Sequence, residues 1–446
     1  MSADLDAGHP STSRYGAQRV QREAIAVAIG SAINAVLGVA FWAFSARFVA
    51  PDELGVMTAV LSVITAVGSV IAAGVGDAYT AILPAVGRDR PAVFRRGLRL
   101  TTVLSTVAGI VSGLVVITSL SEVRGDYAVA AVVVVGIIAW SAYGLQSATL
   151  IAIGRANWTP PSNIAHGVAK IVVLPVLCAT IAWQSVPLAV VIASAGMVVV
   201  LRPSIRRLID TGDGLPTSGT ISAGQAMVEF HRVVSRTTAL SGLNLGVLAL
   251  TPFLVTLFAG PEDGARFALV FAIVSTLDFI GASMAVSLAV HASAEPASAG
   301  AMAKRLMARA GVVTVLGSVG AAAVVPTALH VLNPAYDRGT TLAVVVVLCA
   351  GSIIRLPYLM WAALRQSERR LRAPLVLSGA TAILLFAMMP ACCAALGAVG
   401  AAWVVLAHQA VLTAGAGIVF GRKYFGESAR GREALSRGSS RKKEKR

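Results

Sequence analysis

Long apolar runs alternate along this chain with short polar interruptions that are mostly basic. Twelve runs approach the roughly 20 residues that a helix needs to cross a bilayer. They cover 24–46, 54–78, 98–118, 127–153, 163–183, 186–201, 235–258, 266–290, 310–330, 340–363, 373–394 and 398–420. The sixth is the shortest, and only Gln184 and Ser185 separate it from the fifth. The pattern predicts an all-α membrane protein: twelve transmembrane helices in two pseudo-symmetric six-helix lobes.

The two lobes are predicted from a repeat. A hairpin of two apolar segments runs from Arg22 to Arg99 and again from Arg232 to Arg309, offset by 210 positions without a gap. The punctuation coincides: Arg22 with Arg232, Ser31 with Ser241, Asn34 with Asn244, Phe48 with Phe258, Pro51 with Pro261 and Arg99 with Arg309. Acidic pairs follow both prolines, Asp52 and Glu53 in one copy and Glu262 and Asp263 in the other. Identity is otherwise low, which marks a repeat of architecture rather than a recent copy.

Composition supports the membrane reading. Hydrophobic residues make up 56% and charged residues 13% of the chain, against about 25% charged in soluble proteins. Mean hydropathy is +0.78. The net charge of +16 would point to nucleic acid if it formed a patch. Here 31 of the 37 lysines and arginines fall on one side of the expected bundle, four on the other and two inside spans. That split orients the chain with both termini in the cytoplasm and implies no nucleic-acid partner.

The expected domains are a cytoplasmic tail (1–22), an N-lobe (23–201), a cytoplasmic linker (202–233), a C-lobe (234–420) and a polybasic cytoplasmic tail (421–446). Six spans per half give the lobes one shared orientation. The polar N-terminus does not read as a cleavable signal, so the first span is expected to direct insertion. The final basic stretch either docks on anionic headgroups or is solvated. Cys178, Cys349, Cys392 and Cys393 lie in apolar runs without metal-ligand spacing. No phosphate-binding loop or hydrolase motif occurs, so neither a cofactor nor an enzyme activity is expected.

Ionisable groups inside spans are costly and therefore candidate functional residues. Asp278 and Arg355 lie deepest, and either pair with each other or serve a substrate or ion. Lys170 follows His166 by one helical turn, which puts them on one face; it too is close enough to a span end to reach for the interface. Asp77 lies nearer a span end. Arg22, Arg232 and Arg236 flank spans one and seven, where they either snorkel to headgroups or line an inner mouth. Asn34 and Asn244 occupy equivalent places and can hydrogen-bond between helices. Pro175, Pro252, Pro326, Pro357 and Pro390 permit kinks.

Several segments together resemble a known family. Phe48 to Gly55 (FVAPDELG) is similar to the L-x-P-x-E-F-G turn of the polysaccharide exporters, a branch of the multidrug/oligosaccharidyl-lipid/polysaccharide exporter superfamily. Leu332 to Tyr336 (LNPAY) resembles their F-G-x-x-Y turn, with the Phe-Gly replaced. The basic connection Arg365 to Arg372 and the entry Gly397 to Ala402 also fit. The resemblance covers about residues 20–425, and its specificity lies in the order of the motifs.

The resemblance implies that the lobes stand around a central cavity, lined by spans one, two, seven and eight and opening alternately to each side. It implies a substrate, polyprenyl-pyrophosphate-linked oligosaccharide, flipped across the bacterial cytoplasmic membrane, with polysaccharide-assembly proteins as possible partners. A pyrophosphate needs cations where water is scarce; the expected substrate-binding set is Arg22, Asn34, Arg232, Arg236, Asn244, Asp278, Lys170 and Arg355. The lipid II flippase branch usually has two more spans. The drug-exporting branch, coupled to cations through carboxylates, is the alternative that Asp278 leaves open.

Overall fold

The computed structural model describes residues 33, 36–212, 223–294, 298–368 and 370–443. They are helical nearly throughout, with no strand among them. Two compact units emerge, Met1–Phe253 and Leu254–Arg446.

The first unit holds α1 (Val36–Phe48), α2 (Pro51–Ile82), α3 (Arg90–Ser119), α4 (Tyr127–Ala152), α5 (Thr159–Thr180), α6 (Ser185–Thr211) and α7 (Ala223–Ser241). The short helix α8 (Thr251–Ala259) leads into the second unit, which holds α9 (Pro261–Ala294), α10 (Ala299–Leu332), α11 (Arg338–Ser367) and α12 (Arg372–Lys443). Nine helices among the described residues are long and apolar enough to cross a membrane, and α7 to α8 makes a tenth crossing bent by 42°. Two places separate that number from the twelve expected. Of span one, the helix α1 is described from Val36 onward. Spans eleven and twelve form one helical run that Gly397 breaks.

The repeated prolines open helices in both units. Pro51 starts α2 with Asp52 and Glu53 in its first turn, and Pro261 starts α9 with Glu262 and Asp263. Proline's missing N–H costs nothing there, and carboxylates favour the positive end of the helix dipole. Asp126 caps α4 by accepting from the amides of Ala128 and Val129. Asp337 caps α11, accepting from the Thr340 amide at 2.7 Å and hydroxyl at 2.9 Å. These bonds favour the ionised form and hold its carboxyl below the usual range.

Several helices outrun their apolar cores. The basic residues expected in connections stand on helix ends instead: Arg95, Arg96 and Arg99 on α3, Arg202, Arg206 and Arg207 on α6, and Lys304, Arg305 and Arg309 on α10. The sixth span, read as short, is therefore a 27-residue helix. Residues 223–233, read as part of the linker, begin α7, where Phe230 is fully buried against Tyr79 and Phe94. Tyr79 also donates to the Phe94 carbonyl at 2.6 Å.

Helix α7 lies close on α2. Thr237 donates to the Gly74 carbonyl at 3.1 Å, and a methyl group at Gly74 would collide with the Thr238 side chain. Beyond α7 the backbone widens into a π turn (Gly242–Gly246) and then bends before Pro252. Proline cannot donate to the preceding turn, so the bend falls where the ladder is already broken. Outward faces stay apolar: Val103, Val107, Ile110, Val111, Leu114 and Val115 form an exposed stripe on α3. Such a stripe suits lipid and not water.

Candidate functional site

In the first unit the chemistry gathers around α5. Lys170 is twelfth of its 22 residues, so it sits at mid-helix rather than near an end as the sequence reading allowed. Its ammonium lies 4.9 Å from the centre of the Phe41 ring on α1. One turn earlier, His166 is buried, with Nε2 3.1 Å from the Ser194 hydroxyl of α6. Its ring stacks on Tyr143 of α4 at 4.5 Å and meets the edge of Trp140 at 5.9 Å. Tyr143 donates to the Asn163 side-chain oxygen at 2.8 Å, and Trp140 donates to the Ser69 hydroxyl of α2 at 2.8 Å. Five helices thus meet in one polar and aromatic cluster.

The cluster carries one formal charge, that of Lys170. Among the described residues no carboxylate forms an ion pair with it. A lysine at the bilayer centre costs about 3 kcal/mol on insertion scales. A cation–π contact returns about 0.5–2 kcal/mol. The ring contact thus offsets only part of that cost. Sequence reasoning named Lys170 and His166 but missed Trp140, Tyr143, Asn163 and Ser194. The available signal was a Trp and a Tyr three positions apart inside an apolar run, because buried rings of this kind seek a partner for N–H or O–H.

In the second unit the structure joins two predicted residues. Arg355, eighteenth of the 30 residues of α11, places Nη1 3.2 Å from Oδ2 of Asp278, eighteenth of the 34 residues of α9. Their side chains are 11% and 26% exposed. The Nε of Arg355 is buried without a hydrogen-bond partner among the described residues. The two side chains thus form the ion pair that the sequence reading allowed.

The remaining candidates are dispersed. Arg232 is exposed on α7 and pairs with Glu229 at 2.8 Å, an exposed contact worth about 0–1 kcal/mol and easily exchanged. Arg236 follows one turn later on α7, with its side chain outside the described set. Asn244 is half-buried within the π turn. Arg22 and Asn34 lie outside the described residues. Asp77 is exposed near the end of α2. All four cysteines are free, and no metal-binding group of His, Cys, Asp or Glu occurs among the described residues.

No family model matches the chain, and no curated protein matches it in sequence. Solved structures do resemble it. The lipid II flippase MurJ in an inward closed conformation aligns with a TM-score of 0.71 over 88% of this chain and 87% of its own, at 10% identity. A multidrug resistance MATE family transporter of the MOP superfamily, inward-facing, aligns with a TM-score of 0.65 over 89% and 95%, at 14% identity. A MOP superfamily transporter from Pyrococcus furiosus, described by the reverse polarity of its binding pocket, aligns with a TM-score of 0.51 over 90% and 94%, at 15% identity. At such identities the likeness concerns fold: this is a multi-pass membrane protein with the architecture of MOP superfamily transporters.

Proposed function

We propose that the protein is a flippase that moves polyprenyl-pyrophosphate-linked oligosaccharide between membrane leaflets by alternating access. The observation that carries this reading is the sign of the charge deep in the spans. The acid Asp278 is neutralised by Arg355, whereas Lys170 lies over an aromatic ring and has no ion-pair partner among the described residues. An unneutralised cation favours an anionic substrate and disfavours a cationic drug. Arg232 and Arg236, one turn apart on α7, would receive the pyrophosphate first. The sugar would then cross among protein groups while the polyprenyl tail stays in lipid. The rival reading, a cation-coupled drug antiporter, shares the fold of the MATE transporters but needs a carboxylate free to take up a cation.

The test is a leaflet-accessibility assay in proteoliposomes with a polyprenyl-pyrophosphate oligosaccharide. Wild type should flip it, and Lys170→Gln, with unchanged melting temperature, should flip it at least tenfold more slowly. Cation-driven efflux of drugs without lipid flipping would replace the proposal with the antiporter. Flipping indifferent to Lys170→Gln would remove Lys170 from the site.

A further inference from the structure

The connection from α11 to α12 folds around a cavity of about 430 Å³ lined by Arg365, Arg370, Leu371, Arg372 and Ala373. Arg365 is fixed in place. Its Nη1 lies 2.9 Å from Glu368, its guanidinium stands 5.8 Å over the Trp361 ring, and its side chain is 11% exposed. The turn is tied to it, since the Arg370 amide donates to the Arg365 carbonyl at 2.9 Å. Arg370 and Arg372 are exposed, and neither forms an ion pair among the described residues.

Arg365, Arg370 and Arg372 therefore line one cavity, and the carboxylate of Glu368 pairs with Arg365. Arg372 also opens α12, so the unbonded amides of a helix start lie beside the arginines. Lys304 and Arg305 extend the positive field at the same end of the unit, because their neighbour Ala303 packs with Ala363 and Leu364 of α11. The cavity joins the ends of two spans, the level at which lipid phosphates sit. A guanidinium fork matches a phosphate with two parallel hydrogen bonds, and the volume lies within the range of small-ligand sites.

We infer that Arg365, Arg370 and Arg372 form a binding site for a phosphate group, supplied either by an anionic phospholipid or by a soluble pyrophosphate. This site is independent of Lys170 and of the transported substrate.

The test uses the full chain in detergent. Bound phosphatidylglycerol is counted by native mass spectrometry against phosphatidylcholine, and inorganic pyrophosphate is titrated calorimetrically. Arg370→Gln with Arg372→Gln should weaken binding at least tenfold at an unchanged melting temperature. Loss confined to phosphatidylglycerol identifies a lipid site; loss of pyrophosphate binding identifies a soluble ligand. Equal binding of both probes by wild type and the double variant overturns the inference. Should the double variant be unstable, Arg370→Gln alone tests the site: it should weaken binding several-fold, and unchanged binding counts against the site.

Discussion

At the scale of single residues, the two buried charge centres differ in kind. Asp278 and Arg355 answer one another, so each is most costly when alone. Removing one partner of a buried pair leaves an uncompensated charge and costs about 3–5 kcal/mol; the partial exposure here brings the expectation down to about 1–3 kcal/mol. Asp278→Asn should lower the melting temperature in detergent, and the added change Arg355→Gln should restore part of the loss. A double variant no better than the single one would show that the two groups do not interact. The pairing was legible in the sequence only as one of two options, because depth along a span says nothing about which helices are neighbours. The setting of Lys170 was less legible still. Its place at mid-helix depends on where α5 starts, and polar Thr159 and Asn163 lie inside the helix rather than before it.

At the scale of elements, hydropathy located the spans well because the apolar runs had to match the bilayer. It located their ends poorly. Lysine and arginine have good helix propensity and can reach the headgroups from a continuing helix, so α3, α6 and α10 extend through basic turns that read as loops. The break in α12 was foreseen as a boundary near residue 397, with its cause visible only in the backbone. Gly397 takes φ 56° and ψ −136°, a conformation open in practice to glycine alone. A methyl group there would also strike the carboxylate of Asp263. Without the break, the 46 residues of 372–417 would make a rod of about 70 Å at 1.5 Å per residue, more than twice the hydrocarbon thickness. Gly397→Ala should therefore destabilise the protein by at least about 2 kcal/mol, read as a lowered midpoint of unfolding. An unchanged midpoint would mean that the turn accepts other conformations. The π turn after α7 had no sequence marker beyond the glycines at its two ends, Gly242 and Gly246.

At the scale of the whole molecule, the sequence repeat and the packing divide the chain differently. The repeat starts its second copy at Arg232, yet α7 packs with the first unit, which extends to Phe253. Phe230 in the Tyr79 cluster and the close approach at Gly74 explain why: the start of α7 buries aromatic surface against α2 and α3. Such contacts cannot be read from periodicity, because a repeat reports the fold of each copy and not which copy a flanking helix leans on.

That borrowed helix has a practical corollary for how the gene can be divided. If residues 1–212 and 223–446 are made as two separate polypeptides, α7 supplies the second with an anchor in the first, and an affinity tag on one should retrieve both. Gly74→Leu, which fills the groove that α7 occupies, should abolish the retrieval. Retrieval that survives that change would place the anchor elsewhere.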